Sequence, residues 1–99
     1  MIPRMEKQAK RFVYILRSDA DPNRHYTGIT GDIAARLDWH NHGPCGCTIH
    51  HRPWSLVVSI GFATEAAARR FERYLKSGSG RAFAKRHFAN AGDQAATSR

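Results

Sequence analysis

No apolar run in this 99-residue chain approaches the roughly 18 residues that a membrane-spanning helix needs. The opening MIPRMEKQAKR is basic but carries neither an apolar segment nor a small-residue cleavage site. It does not read as a secretory signal, and a cytoplasmic location is expected. Cysteine is nearly absent. Cys45 and Cys47 are separated by a single glycine, too close for an unstrained bridge between them. A disulfide-stapled scaffold is thereby excluded. There is no internal repeat and little length to spare, so one small domain with a thin core is expected. Acids are scarce as well. Eight stand against sixteen Lys and Arg, for a net charge of +8 and a pI near 10.3. A field of that sign draws polyanions, nucleic acid above all.

The periodicities lay out a short series of elements. RFVYILR, residues 11–17, alternates with β-branched and aromatic side chains, and SDADPNR after it is a turn; HYTGIT is a second strand that closes a hairpin. From Asp32 the spacing becomes helical through Ile33 and Leu37, with Thr30 or Asp32 as cap and Gly43-Pro44 as stop. WSLVVSIGF, residues 54–62, is almost continuously apolar, which places it as a strand buried on both faces at the centre of the sheet. Thr64 caps a helix running to Lys76, with Ala68, Phe71 and Leu75 on one side. Ser77-Gly78-Ser79-Gly80 breaks it, and RAFAKRHF forms a last short helix. The order is β-β-α-β-α-α, an α+β domain over residues 11–88. A basic N-terminal tail over 1–10 and a C-terminal tail over 89–99 lack periodicity and are expected to be disordered.

Several polar residues have chemistry available to them. Arg36 and His40 lie four apart, hence on one helix face, along the edge of the stripe marked by Ile33 and Leu37. A guanidinium there suits phosphate oxygens, and an imidazole can move a proton. Spacing alone is equally satisfied by a solvated polar face. Tyr14 and Tyr26 fall in the two hairpin strands with rings able to share one side of the sheet, though aromatic residues are ordinary in strands. Glu72 borders the apolar side of its helix; it can serve as a hard ligand for Mg²⁺ or simply pair with Lys76 or Arg69. KSGSGR lacks the spacing of a phosphate loop and follows no strand. It reads as a helix linker or as a contact to a nucleic-acid backbone. Cys45, Cys47, His50 and His51, with His40 and His42 nearby, have ligand types suited to zinc at spacings that do not match the common zinc sites.

Taken together, Val13-Tyr14-Ile15, Tyr26-Thr27-Gly28, RLDWHN (residues 36–41) and RRFERYLKSGSGRAFAKRHF further on resemble the GIY-YIG nuclease superfamily. The branch they resemble is the small single-domain one, similar to the N-terminal nuclease domain found in excinuclease ABC. The first motif lacks its glycine, and the second departs at its middle residue. The resemblance spans about residues 11–88. It implies a central three-stranded antiparallel sheet and hydrolysis of a DNA phosphodiester with one divalent metal, Mg²⁺ or Mn²⁺, and no small-molecule cofactor. Carried over by position, it implies that Tyr14 and Tyr26 form the paired tyrosines and that Arg36 stabilises transition-state charge. His40 then assists proton transfer, Glu72 holds the metal, and Gly28 permits a tight turn. The family often adds an asparagine late in the domain, for which Asn90 is a candidate with its role left open. Lys76, Arg81, Lys85 and Arg86 are expected to hold the DNA backbone. The competing expectation is a basic module of the same fold that binds nucleic acid without chemistry.

Overall fold

The computed structural model describes residues 11–46 and 48–89. The expected N-terminal tail, residues 90–99 of the expected C-terminal tail with Asn90 among them, and Cys47 lie outside the described residues; Ala89, expected in the tail, ends the π-helical turn. Strands β1 (Arg11–Ser18) and β2 (His25–Thr30) form an antiparallel hairpin, and α1 (Ile33–His42) follows. A single 3-10 turn at Ile49–His51 leads into β3 (Trp54–Phe62), then α2 (Glu65–Leu75) and α3 (Gly78–Ala84), which continues as a π-helical turn through Lys85–Ala89. The three strands make one antiparallel sheet in the order β2-β1-β3. Among the described residues, no helix is long and apolar enough to cross a membrane.

The central strand is β1, not β3. Val13, Tyr14, Ile15 and Leu16 are all buried, because β1 is paired on both edges and covered on both faces. One face, with Val13 and Ile15, packs against Ala68 and Leu75 of α2, with Phe71, Phe83 and Phe88 around them. The other, with Tyr14 and Leu16, packs against Trp54, Ile33 and Leu37. The apolar run of β3 instead lies on a sheet edge, and Leu56 remains 40% exposed. A register shift between Ile15 and Leu16 interrupts its pairing with β1, so the inward set along β3 is not a simple alternation.

Each helix start has a local cause. Asp32 accepts from the Ala35 N–H at 3.0 Å, Thr64 from Ala67 at 3.1 Å and Ser77 from Gly80 at 3.1 Å. Caps of this kind contribute about 1 kcal/mol each. The α2 helix does end before SGSG, but the Ser77 cap starts the last helix at Gly78 rather than Arg81, so both glycines belong to α3. A Cβ on Gly80 would sit 1.7 Å from the Tyr74 carbonyl oxygen, so only glycine lets α3 leave α2 at this distance.

Candidate active site

On the α1 face of the sheet the hairpin register sets Tyr14 opposite Gly28 and Leu16 opposite Tyr26. The two tyrosines are therefore diagonal neighbours on one face, with ring centroids 6.2 Å apart. His40 fits between them and α1. Its ring lies 4.7 Å from that of Tyr26 and 5.9 Å from that of Tyr14, and the Tyr14 hydroxyl is 2.9 Å from His40 Nε2. Gly28 makes the approach possible. A Cβ there would lie 2.6 Å from the Tyr14 hydroxyl oxygen, while no glycine among the described residues has positive φ. The glycine provides clearance for the phenol rather than the expected tight turn.

His40 does not lie on the edge of the stripe as its spacing suggested; it has no exposed surface. The segment after α1 closes over it. Thr48, also buried, places Oγ1 3.1 Å from His40 Nδ1, and Cys45 Sγ is 3.6 Å from the same nitrogen. Arg52 donates from Nε to the His40 carbonyl at 2.6 Å and from Nη2 to the Gly43 carbonyl. It thereby satisfies carbonyls that the C-terminus of α1 leaves open. Asn41 brackets the start of β3, accepting from the Trp54 N–H at 2.6 Å and donating to its carbonyl at 3.0 Å. The enclosure of His40 by Thr48, Cys45 and Arg52, and the bracing of β3 by Asn41, are not legible in the sequence pattern, because the loop that brings the first three has no periodicity.

The partners of the two ring nitrogens fit one tautomer of the histidine. The Thr48 hydroxyl donates to the Cys45 carbonyl at 3.4 Å, so its oxygen is left to accept from His40 Nδ1–H. Nε2 then carries the lone pair and accepts from the Tyr14 hydroxyl. The result is a directed chain from Tyr14 through His40 and Thr48 to Cys45. Burial, first, and then the positive charges of Arg36 and Arg52 push the His40 pKa below its ordinary 6.5. His40 is thus neutral at pH 7 and can act as an acceptor. The stability consequence has a definite sign. The unfolded chain takes up this proton near pH 6.5, while the folded chain resists it. Stability attached to neutral His40 is intact above 6.5 and declines as pH falls toward the depressed folded value.

Arg36, one turn before His40, is half-buried, and its guanidinium carbon lies 4.8 Å from the centre of the Trp39 ring. Among the described residues no carboxylate pairs with it. A planar cation held by an indole and open to an anion suits a phosphate.

Glu72 stands on α2, across the sheet from Tyr14 and His40. Its carboxylate, 19% exposed, pairs with Lys76 Nζ at 2.8 Å; Arg69 pairs with Glu65 instead. Lys76 lines a groove of about 710 Å³ that Tyr26, Arg81 and Lys85 also line, so Glu72 is one ion pair away from a cleft reaching Tyr26. Arg86 is exposed on the π-helical turn and does not line the groove. Among the described residues no three His, Cys, Asp or Glu side chains group as a metal cage. Of the described members of the His/Cys set, Cys45 faces His40, and His42 pairs with Asp38 at 3.0 Å. A half-buried carboxylate whose ion-pair partner lines a cleft does fit Mg²⁺, which is commonly held by one or two carboxylates together with water and substrate phosphate.

The sequence profile of the GIY-YIG catalytic domain matches residues 10–87. The structure-specific endonuclease subunit SLX1 of Candida dubliniensis is 39% identical over 85 residues, covering 79% of this chain and 28% of that protein. The chain thus spans under a third of the length of the curated relative that it matches.

Proposed function

We propose, because this chain belongs to the GIY-YIG family of catalytic domains, that it is a divalent-metal-dependent endonuclease hydrolysing a phosphodiester bond of DNA. The observation that carries the proposal is the buried Tyr14–His40–Thr48 chain, with Tyr26 at its mouth and Arg36 one turn away. A solvated polar helix face has no need of such a chain. Hydrolysis requires water to lose a proton as it attacks phosphorus, and it requires relief for charge growing on the phosphate oxygens. Neutral His40 accepts from Tyr14 at Nε2, so that a proton leaving the attacking water for the Tyr14 oxygen is matched by the Tyr14 proton passing to Nε2. Tyr26, half-buried at the opening, orients the nucleophile against the phosphate. Arg36 meets the phosphate oxygens with its fork of N–H donors. Glu72 is the residue that would hold Mg²⁺ or Mn²⁺, an ion that neutralises phosphate charge and acidifies bound water. Lys76, Arg81, Lys85 and Arg86 hold the flanking backbone.

The SLX1 relative is named a structure-specific endonuclease subunit, and we extend the proposal accordingly: the substrate is chosen by DNA structure and the domain works with a partner subunit, in DNA repair or processing. The test is nicking of branched, nicked and single-stranded DNA with Mg²⁺ or with EDTA. Cleavage with Mg²⁺ alone, abolished by Glu72→Gln, is the expected result. Cleavage indifferent to EDTA or to Glu72→Gln would refute the metal assignment. DNA binding without cleavage of any of these substrates would favour the non-catalytic module.

A further inference from the structure

Trp39 stands beside His40 and one turn past Arg36 on α1, yet the cleavage proposal gives it no role. Its indole is 37% exposed, against 5% for Trp54 in the core, so core packing does not account for a ring of this size. Its neighbours fix where the ring lies. It meets the His40 ring edge to face, with centroids 5.4 Å apart at 64°, and the Arg36 guanidinium stands over it at 4.8 Å. Gly43 leaves room for it at the end of α1. φ there is −88°, which any residue adopts, but a Cβ would lie 2.9 Å from the indole Nε1 and 2.8 Å from the Trp39 carbonyl oxygen.

An arginine on a helix surface samples many rotamers, and losing them on meeting phosphate costs entropy. Ion pairs are the usual restraint. Among the described residues no carboxylate pairs with Arg36; of the acids on its helix, Asp32 caps Ala35 and Asp38 pairs with His42. The indole face restrains the guanidinium instead, and it attracts the cation without consuming its N–H donors. A carboxylate would occupy the very fork that a phosphate needs. From this we infer that Trp39 is a positioning residue: its π face holds Arg36 in the rotamer that meets the scissile phosphate and leaves the donors free. The inference rests on the endonuclease proposal for its substrate. It deepens that proposal by naming what preorganises the cation that stabilises the transition state.

Two replacements separate the π face from plain bulk. Trp39→Leu keeps apolar cover beside His40 and removes the π face, whereas Trp39→Phe keeps a smaller one. With Mg²⁺ and saturating DNA, Trp39→Leu is expected to lower the single-turnover cleavage rate about fivefold, the order that one cation–π contact carries. The apparent KM should change little, and Trp39→Phe should recover most of the loss. In an Arg36→Ala background Trp39→Leu is expected to have no further effect, because the ring then has nothing to hold. A loss of the same size in that background overturns the inference and makes Trp39 a structural cover for His40. A raised KM at constant rate also overturns it, and makes the exposed ring a platform for a DNA base.

NMR of the Arg36 side chain requires no catalysis. In EDTA the Trp39 ring current is expected to shift these resonances upfield, and an added duplex to shift them again. In Trp39→Leu the first shift should vanish and the second shrink. That pattern in a chain that cleaves no DNA would leave the inference standing and remove the nuclease proposal. Mg²⁺-dependent cleavage at equal rates in wild type and Trp39→Leu would do the reverse.

Discussion

Arg36→Ala is expected to lower kcat for DNA cleavage by about 10²–10³-fold, the loss typical when one donor to a developing oxyanion is removed. The fold should tolerate the change. Arg36 is half-buried, and among the described residues it holds no carboxylate. Its cation–π contact with Trp39 contributes on the order of 1 kcal/mol. Thermal melting read beside single-turnover cleavage should therefore show a small shift in Tm and a large drop in rate. Arg36→Lys should recover only part of the rate, since an ammonium restores the charge but not the fork. An undiminished rate in Arg36→Ala would remove Arg36 from the chemistry.

The second large effect is expected at a residue with no functional group. In Gly28→Ala the new methyl must displace the Tyr14 hydroxyl, 2.6 Å from the built Cβ. A long flexible side chain on a surface would swing aside. Tyr14 is 3% exposed and bonded to a histidine that is itself enclosed, so the strain has no cheap outlet. Overpacking of this kind costs about 1–3 kcal/mol. Moving the phenol by even ~1 Å from His40 should reduce cleavage by about 10²-fold. Both readouts matter: destabilisation with full activity would show that the Tyr14–His40 distance is not critical.

How much of this could be read beforehand depended on what each residue's signal encodes. The element order was legible because hairpin alternation, helix period and the Asp32, Thr64 and Ser77 caps are local properties. The sharing of one sheet face by Tyr14 and Tyr26 follows from period two and a short hairpin. The error over β3 came from asking composition a question about partners. WSLVVSIGF is more apolar than RFVYILR, yet centrality depends on which strand has two neighbours, and β1 has them. His40 was misplaced for a related reason. Helical spacing puts it beside Arg36, but its enclosure is the work of Cys45, Thr48 and Arg52 from a loop without a pattern. Gly80 and Gly28 look alike in sequence as turn formers, whereas each makes room for a neighbour: a carbonyl at Tyr74 in one case, a phenol at Tyr14 in the other. Glu72 shows what patterns cannot carry. Its position at the stripe border and an ion pair with either Lys76 or Arg69 are readable, but the choice of Lys76 and the proximity of that pair to a groove lined in part by Tyr26 are properties of the folded chain.

The central claim is that a neutral His40, protonated on Nδ1, accepts the hydrogen bond of the Tyr14 hydroxyl at Nε2. Nitrogen-15 NMR of the imidazole, followed from pH 8 downward, addresses it directly. The expected spectrum shows a protonated Nδ1 and a bare Nε2 at neutral pH, with titration only below the ordinary 6.5; in Thr48→Val, Nδ1 should lose its acceptor and the tautomer preference should weaken. A proton resident on Nε2, or a histidine already cationic at pH 7, would contradict the account, because Nε2 would then have no lone pair for the phenol.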